Sequence, residues 1–134
     1  MDLGLKDKVA VITGGSEGIG KAAAASMAQE GARVVICARR KDVLDAAAAE
    51  IRAETGGTVL PIQADVSNPA DAEKVIDAAV SEFGRLDILV NNAGISAAGP
   101  FESVDEEGWQ ADMNLKFYGA MRFARAAIPH MKRV

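Results

Sequence analysis

The stretch "TGGSEGIGK", from Thr13 to Lys21, follows directly on the apolar run "KVAVI" at residues 8–12. The apolar run predicts a buried β-strand, and the residues after the glycines predict a helix, so the glycines lie in a tight strand-to-helix turn. Such a turn presents unpaired backbone N–H groups that attract phosphate, and glycine lets a pyrophosphate approach without a Cβ in the way. For the glycines alone two interpretations stay open: a dinucleotide-binding turn, and a tight turn without a ligand.

The rest of the chain alternates short β-like runs with amphipathic helical patterns that glycines terminate. The patterns predict strands at 8–13, 33–38, 58–64 and 86–90, and helices at 18–30, 42–55, 69–83 and from a capping box of Ser103 and Glu106 onward. Alternation of this kind predicts an α/β fold in one domain, residues 1–134, with a Rossmann-type doubly wound parallel sheet. The expected strand order is 3-2-1-4, which is an incomplete version of that sheet.

Composition excludes several classes of function. The net charge is −4 and Lys and Arg are not clustered, so nucleic acid is not an expected partner. We expect no membrane association, since apolar stretches are too short to span a bilayer, and the N-terminus lacks the order of a signal peptide, so we expect a cytoplasmic protein. With Cys37 and His130 each alone of their kind, no metal site is predicted.

The end of the second strand bears on the choice of nucleotide. In dinucleotide folds an acidic residue at this place holds the adenosine ribose, whereas arginine accommodates a 2′-phosphate. Here Ala38 is followed by Arg39 and Arg40, which favours NADP(H) over NAD(H); the alternative is a solvated arginine pair.

Four ordered motifs carry a resemblance to a known family: "TGGSEGIG", "ADV" at 64–66, "NNAG" at 91–94, and Asn114 in "DMNLKFYG". Together they resemble the N-terminal half of the short-chain dehydrogenase/reductase family. The resemblance runs from about residue 6 to the last residue. One position departs from the family's pattern: members that prefer NADP often carry a basic residue just before the second motif glycine, whereas this chain has Glu17, which argues against NADP(H).

The resemblance implies a role for each matching residue. The glycine turn would lie under the pyrophosphate, Ile19 near the nicotinamide ribose, Asp65 at the adenine amino group and Val66 beside the base. The implied cofactor-binding set, with the arginine pair, is Gly14, Ser16, Gly18, Ile19, Gly20, Arg39, Arg40, Asp65, Val66, Asn91, Ala93 and Gly94. Ordinary turn residues are the alternative for Asp65 and for the "NNAG" segment.

Asn114 is the one catalytic residue that the resemblance implies within this chain. Asparagine is disfavoured inside a helix, and in the family the matching residue distorts the helix and anchors a water of the proton relay. The alternative is a simple surface asparagine.

The family's catalytic Ser and Tyr-x-x-x-Lys lie in a segment beyond Val134, so we expect a truncated chain that is catalytically silent by itself. Tyr118 and Arg122 share a helix face but lie in a different element, so they are not expected to replace that pair. An unpaired strand at 86–90 and the apolar side of the last helix predict self-association.

Two hypotheses result. The first is the cofactor-binding half of an NADP(H)-dependent oxidoreductase that transfers hydride between nicotinamide and a small alcohol or ketone. The second is a stand-alone nucleotide-binding or interaction module without catalysis.

Overall fold

The computed structural model describes residues 1–94 and 99–134. In these ranges the strands are β1 (Val9–Thr13), β2 (Arg33–Ala38), β3 (Thr58–Gln63) and β4 (Ile88–Val90). They pair in parallel, in the order β3-β2-β1-β4, which confirms the predicted α/β class and strand order. The order reverses between β1 and β4, and the carboxyl ends at such a switch point are where open α/β sheets bind ligands.

The helices connect these strands and cover both faces of the sheet. They are α1 (Gly18–Gln29), α2 (Lys41–Thr55), α3 (Asp71–Phe83), α4 (Glu106–Met113) and α5 (Gly119–Met131). A short 3₁₀ helix spans Phe101–Ser103, and a π-helical turn at Asn114–Tyr118 joins α4 to α5. In the described ranges no helix has both the length and the apolar character needed to cross a membrane.

The core consists of two layers, one on each face of the sheet. Alternating side chains of one strand enter opposite layers, as the two-residue period of a strand requires. One layer contains Ile12, Val34, Ile36, Ala24, Leu44 and Ile51, from the sheet, α1 and α2. The other contains Val9, Val11, Val35, Val75, Ile76 and Phe123, from the sheet, α3 and α5.

Two predicted helix starts are wrong. The helix expected from residue 69 begins at Asp71, because the carbonyl of Asn68 accepts from the Asp71 N–H (3.1 Å) and its side chain accepts from the Ala70 N–H (3.1 Å), which closes a turn first. The capping box also fails, since the Ser103 hydroxyl donates to the Pro100 carbonyl (2.8 Å) within the 3₁₀ helix. Asp105 caps α4 instead, accepting from the Gly108 N–H at 2.8 Å.

The apolar side of α4 and α5 faces solvent. Its large side chains are between 38% and 57% exposed; they are Trp109, Met113, Phe117, Met121 and Ile128. The side that packs on the sheet is defined by Phe123 and Ala127, both fully buried. The exposed apolar surface that the sequence predicted for this helix is therefore present.

Candidate dinucleotide-binding site

A cavity of about 410 Å³ opens at the carboxyl ends of the strands. Most of the predicted cofactor residues line it: Gly14, Ser16, Gly18, Arg39, Arg40, Asp65, Val66, Ala93 and Gly94. Residues that the sequence prediction did not include also line it, namely Glu17, Ala38, Val43, Ala64, Asn92 and Leu115. Its volume is typical of small-molecule sites. Its walls come from the segments that follow each of the four strands, together with Leu115 of the π-helical turn, and only the parallel sheet brings these segments together.

The glycine turn presents the start of α1 to this cavity. Glu17 occupies the N-cap position but its side chain makes no capping hydrogen bond, so the first N–H groups of the helix are not satisfied by a cap. Gly18 has a positive φ of 56°, a conformation that side-chain-bearing residues avoid, and a Cβ there would meet no atom within 4 Å. The turn therefore combines open space at Gly18 with helix N–H groups that the N-cap side chain does not satisfy, an arrangement suited to binding a pyrophosphate.

The last glycine of the motif has a different environment. Gly20 is buried, and a Cβ there would overlap the Asn92 side-chain amide and the Gly14 carbonyl. Gly20 thus lets α1 pack directly beneath the turn and does not line the cavity. Ile19 is 82% exposed and also lies outside the cavity lining.

Hydrogen bonds between Thr13 and the segment after β4 join two walls of the cavity. The Thr13 hydroxyl accepts from the N–H groups of Asn92 and Ala93, both at 3.0 Å, and donates to the Val90 carbonyl at 3.4 Å. In return, the Asn92 side chain donates to the carbonyls of Thr13 (3.1 Å) and Gly14 (3.2 Å). Sequence reasoning missed both roles, although the expected β1–β4 pairing could have indicated them.

The loop after β3 carries the residues expected at the adenine. Asp65 accepts from the N–H (2.9 Å) and the hydroxyl (2.6 Å) of Ser67, both at Oδ1. The Asp65 N–H donates to Oδ2 of Asp71 at 2.8 Å, so the first residue of α3 fixes the backbone of this loop. Asp65 therefore closes a turn with Ser67 and also lines the cavity. Val66 beside it, which is 6% exposed, lines the cavity too.

The arginine pair lines the cavity where β2 ends, and both residues are exposed. Arg40 precedes the first residue of α2 and makes no side-chain cap. Among the ion pairs within 4.0 Å in the described part of the chain, neither Arg39 nor Arg40 takes part. Two carboxylates, Glu17 and Asp65, line the same cavity, so its positive charge is concentrated where β2 ends.

The π-helical turn begins at Asn114. The Gly119 N–H donates to the Asn114 carbonyl, five residues earlier, so the helix is distorted where the resemblance implies it. Asn114 is half-buried and outside the cavity lining, whereas its neighbour Leu115 lines the cavity. Asn91 is also outside the lining; its side chain donates to the Ala120 carbonyl at 3.4 Å and so links the end of β4 to α5.

Other reactive side chains lie outside the lining of the cavity. Cys37 is fully buried, and burial raises the pKa of its thiol to about 12, so it is not a nucleophile near neutral pH. Arg122 does contact the Tyr118 ring, with 5.7 Å between the guanidinium carbon and the ring centroid, but both residues are outside the cavity lining. Within residues 1–94 and 99–134 no cluster of His, Cys, Asp and Glu could hold a metal ion.

Comparison with known proteins assigns the chain to a family. The model for short chain dehydrogenases matches residues 8–134. The chain belongs to this family. This short-chain dehydrogenase chain is 41% identical over 128 residues to an uncharacterized oxidoreductase of Methylorubrum extorquens, covering 95% of the chain and 51% of that relative. It is 40% identical over 126 residues to the 11-beta-hydroxysteroid dehydrogenase A of Sesamum indicum, covering 93% of the chain and 36% of that relative.

A solved structure shows the same architecture. The L-sorbose reductase of Gluconobacter frateurii, in complex with NADPH and L-sorbose, superposes with a TM-score of 0.94 and 41% identity. The match covers 99% of this chain and 51% of the reductase. The chain thus spans about half the length, or less, of the relatives it matches.

Proposed function

We propose that this chain binds NADP(H), as the cofactor-binding half of an oxidoreductase that moves hydride between nicotinamide and a small alcohol or ketone. One observation carries the proposal: the glycine turn, the loop after β3 and the segment after β4 line a single cavity at the switch point of the sheet. The nucleotide, when bound, supplies or accepts the hydride. The complex of the similar L-sorbose reductase with NADPH supports this choice of nucleotide.

The proposed contacts follow the chemistry of each wall. The start of α1, with Gly14, Ser16 and Gly18, would hold the pyrophosphate, and Arg39 with Arg40 would pair with the 2′-phosphate. Asp65 and Val66 would contact the adenine. At the nicotinamide end the proposed residues are Ile19, Asn91, Ala93 and Gly94, with Gly20 supporting the turn and Asn114 placing a water of the proton relay.

The experiment is calorimetric titration of the 134-residue chain with NADPH, NADH and 2′,5′-ADP. NADPH and 2′,5′-ADP should bind, and Arg39→Ala should weaken both about 10-fold, equivalent to about 1.4 kcal/mol, while NADH changes less than about 2-fold. Arg125→Ala, which removes an exposed arginine on α5, is the matched control and should change neither. Equal losses for NADPH and NADH would refute the 2′-phosphate assignment, and absence of all binding would refute the proposal itself.

A second candidate is a nucleotide-binding module without chemistry. The observation that favours it is the position of Tyr118, the chain's one tyrosine, in the π-turn outside the cavity lining. We propose that the chain alone binds nucleotide without turnover. Oxidation of NADPH by the purified chain, in the presence of a panel of ketones, would contradict this second proposal.

Self-association is proposed on the exposed apolar surface of α4 and α5. Among the strands of the described residues β4 lies at an edge of the sheet, so we propose that a strand edge is also open to pairing. Light scattering should show a mass above that of the monomer, and Phe117→Glu, which places a charge on that surface, should lower it. A stable monomer at high concentration would contradict the proposal.

A further inference from the structure

The first turn of α5 packs directly against the loop that carries Asp65 and Val66. Gly119, the first residue of α5, is buried, and a Cβ added to it would overlap Cγ1 of Val66 and lie 3.0 Å from the Val66 carbonyl oxygen. Any larger residue at this position would push α5 and the loop apart. The π-turn, which ends at Tyr118, delivers Gly119 to this contact.

Arg122 makes the polar contact between the same two elements. Its Nη1 donates to the Ser67 carbonyl at 3.4 Å, across 55 positions of sequence. Its guanidinium also lies over the Tyr118 ring, which packs edge-on against Phe117 with 5.3 Å between ring centroids. The aromatic contact limits the conformations of the long side chain, so the donor group is held beside the loop.

Ser67 transmits this contact to the cavity. The residue whose carbonyl Arg122 binds also donates its N–H and its hydroxyl to Oδ1 of Asp65. Asp71, the first residue of α3, accepts from the Asp65 N–H. Asp65 is therefore held at its backbone N–H by Asp71 of α3, and at its carboxylate by Ser67, whose carbonyl binds Arg122 of α5.

We propose that Arg122 is a positioning residue for the adenine end of the site, and that Gly119 permits its approach. Arg122 does not line the cavity, so it acts through Ser67 on the orientation of the Asp65 carboxylate. This inference rests on the proposed function, because the adenine contact of Asp65 belongs to that proposal. In this proposal the Tyr118–Arg122 pair has a structural role at the adenine end of the site and takes no part in proton transfer.

The test uses Arg122→Met, which keeps an unbranched apolar stem of similar length and removes the guanidinium with its charge and donors. Arg125→Met, on the exposed side of the same helix, is the matched control, and Arg122→Lys is the conservative variant. Two quantities are measured: the Kd of 2′,5′-ADP and NADPH by calorimetry, and amide hydrogen exchange of Asp65 and Ser67 by NMR in the free protein. Thermal unfolding is recorded for each variant.

Arg122→Met should weaken 2′,5′-ADP and NADPH by the same factor, about 5- to 10-fold, since one hydrogen bond to a charged donor is lost. Exchange of the Asp65 and Ser67 amides should accelerate, while β1 stays protected and the melting temperature stays within about 3 °C of the control. Arg122→Lys should recover most of the affinity, because its ammonium can still donate to the Ser67 carbonyl. Gly119→Ala should accelerate the same amides.

The proposal is overturned if Arg122→Met changes neither affinity nor exchange, or if Arg125→Met causes the same losses. It is also overturned if the lysine variant behaves as the methionine variant does. Should the wild-type chain bind no nucleotide, the proposed function fails, and the exchange data then decide this inference separately. Accelerated exchange confined to Asp65 and Ser67 would still support it, whereas unchanged exchange would refute it.

Discussion

Replacing Thr13 with valine tests whether one hydroxyl holds the glycine turn to the end of β4. Thr13 is 1% exposed, and its Oγ1 is the acceptor for the N–H groups of both Asn92 and Ala93. Valine keeps the branched shape but cannot accept a hydrogen bond, so two backbone donors lose their partner. At about 1–3 kcal/mol for each unsatisfied donor, the expected destabilisation is about 2–6 kcal/mol. That is a large part of the stability of a typical domain, about 5–15 kcal/mol.

The assay is urea unfolding followed by far-UV circular dichroism, with Thr13→Ser as the matched control. Serine keeps the hydroxyl and loses one buried methyl group, so it should cost only about 1 kcal/mol. The reasoning is refuted if the valine variant loses less than about 1 kcal/mol, or if serine is as destabilising as valine. Because Ala93 lines the cavity, the valine variant should also bind NADPH more weakly than the serine variant.

Two further predictions concern ionisable groups outside the cavity. The Asp87 side chain is 10% exposed and accepts hydrogen bonds from Arg85 at 2.6 and 2.8 Å. These bonds, and a further one from the Val9 N–H, lower the pKa of the Asp87 carboxyl. Its ionised form therefore adds stability above its unfolded pKa of about 3.9, and this is lost as the pH falls through the lower folded pKa. Asp87→Asn should accordingly lower the free energy of unfolding, measured in urea, by about 1–3 kcal/mol at pH 7. The difference in unfolding free energy between variant and wild type should shrink below about pH 4, and a difference that stays constant with pH would contradict this. Because burial raises the pKa of Cys37 to about 12, iodoacetamide at pH 8 should modify Cys37 only in urea, as intact-mass measurement would show; rapid labelling of the folded chain would contradict it.

Much of the fold follows from local patterns. The ends of β2 agree with the prediction residue for residue, because the apolar run at 33–38 is bounded by polar or glycine-containing turns. The strand order also confirms that β3 lies at an edge of the sheet, as predicted. Pro61 within β3 suits that position because it has no N–H to donate to a second neighbouring strand. The start of α3 could not be predicted in the same way, because Asn68 favours a turn as strongly as it favours a helix cap.

For the candidate site, too, one part could be predicted from local sequence and another part could not. Its residue types were predictable because a glycine turn after a strand, an arginine pair after the next strand and an "NNAG" segment each have a local signature. These local signatures do not show that the residues line one cavity. That conclusion depends on the parallel strand order, which places the carboxyl ends of β1, β2, β3 and β4 at one edge of the sheet. Leu115 had no such signature, since it lies in the π-helical turn between α4 and α5, and only tertiary packing brings that turn to the cavity.

The sequence by itself determined the α/β alternation, the glycine turn and the exposed apolar side of the last helix, because hydrophobic period and glycine position act over a few neighbouring residues. Only the tertiary structure decided that Gly18 faces open space while Gly20 faces Asn92, although both are glycines of one motif. The same holds for the contacts of Thr13 with Asn92 and of Arg122 with Ser67, which join residues 79 and 55 positions apart. Such pairs leave no mark in a local pattern, because their geometry depends on how the whole sheet brings its loops together.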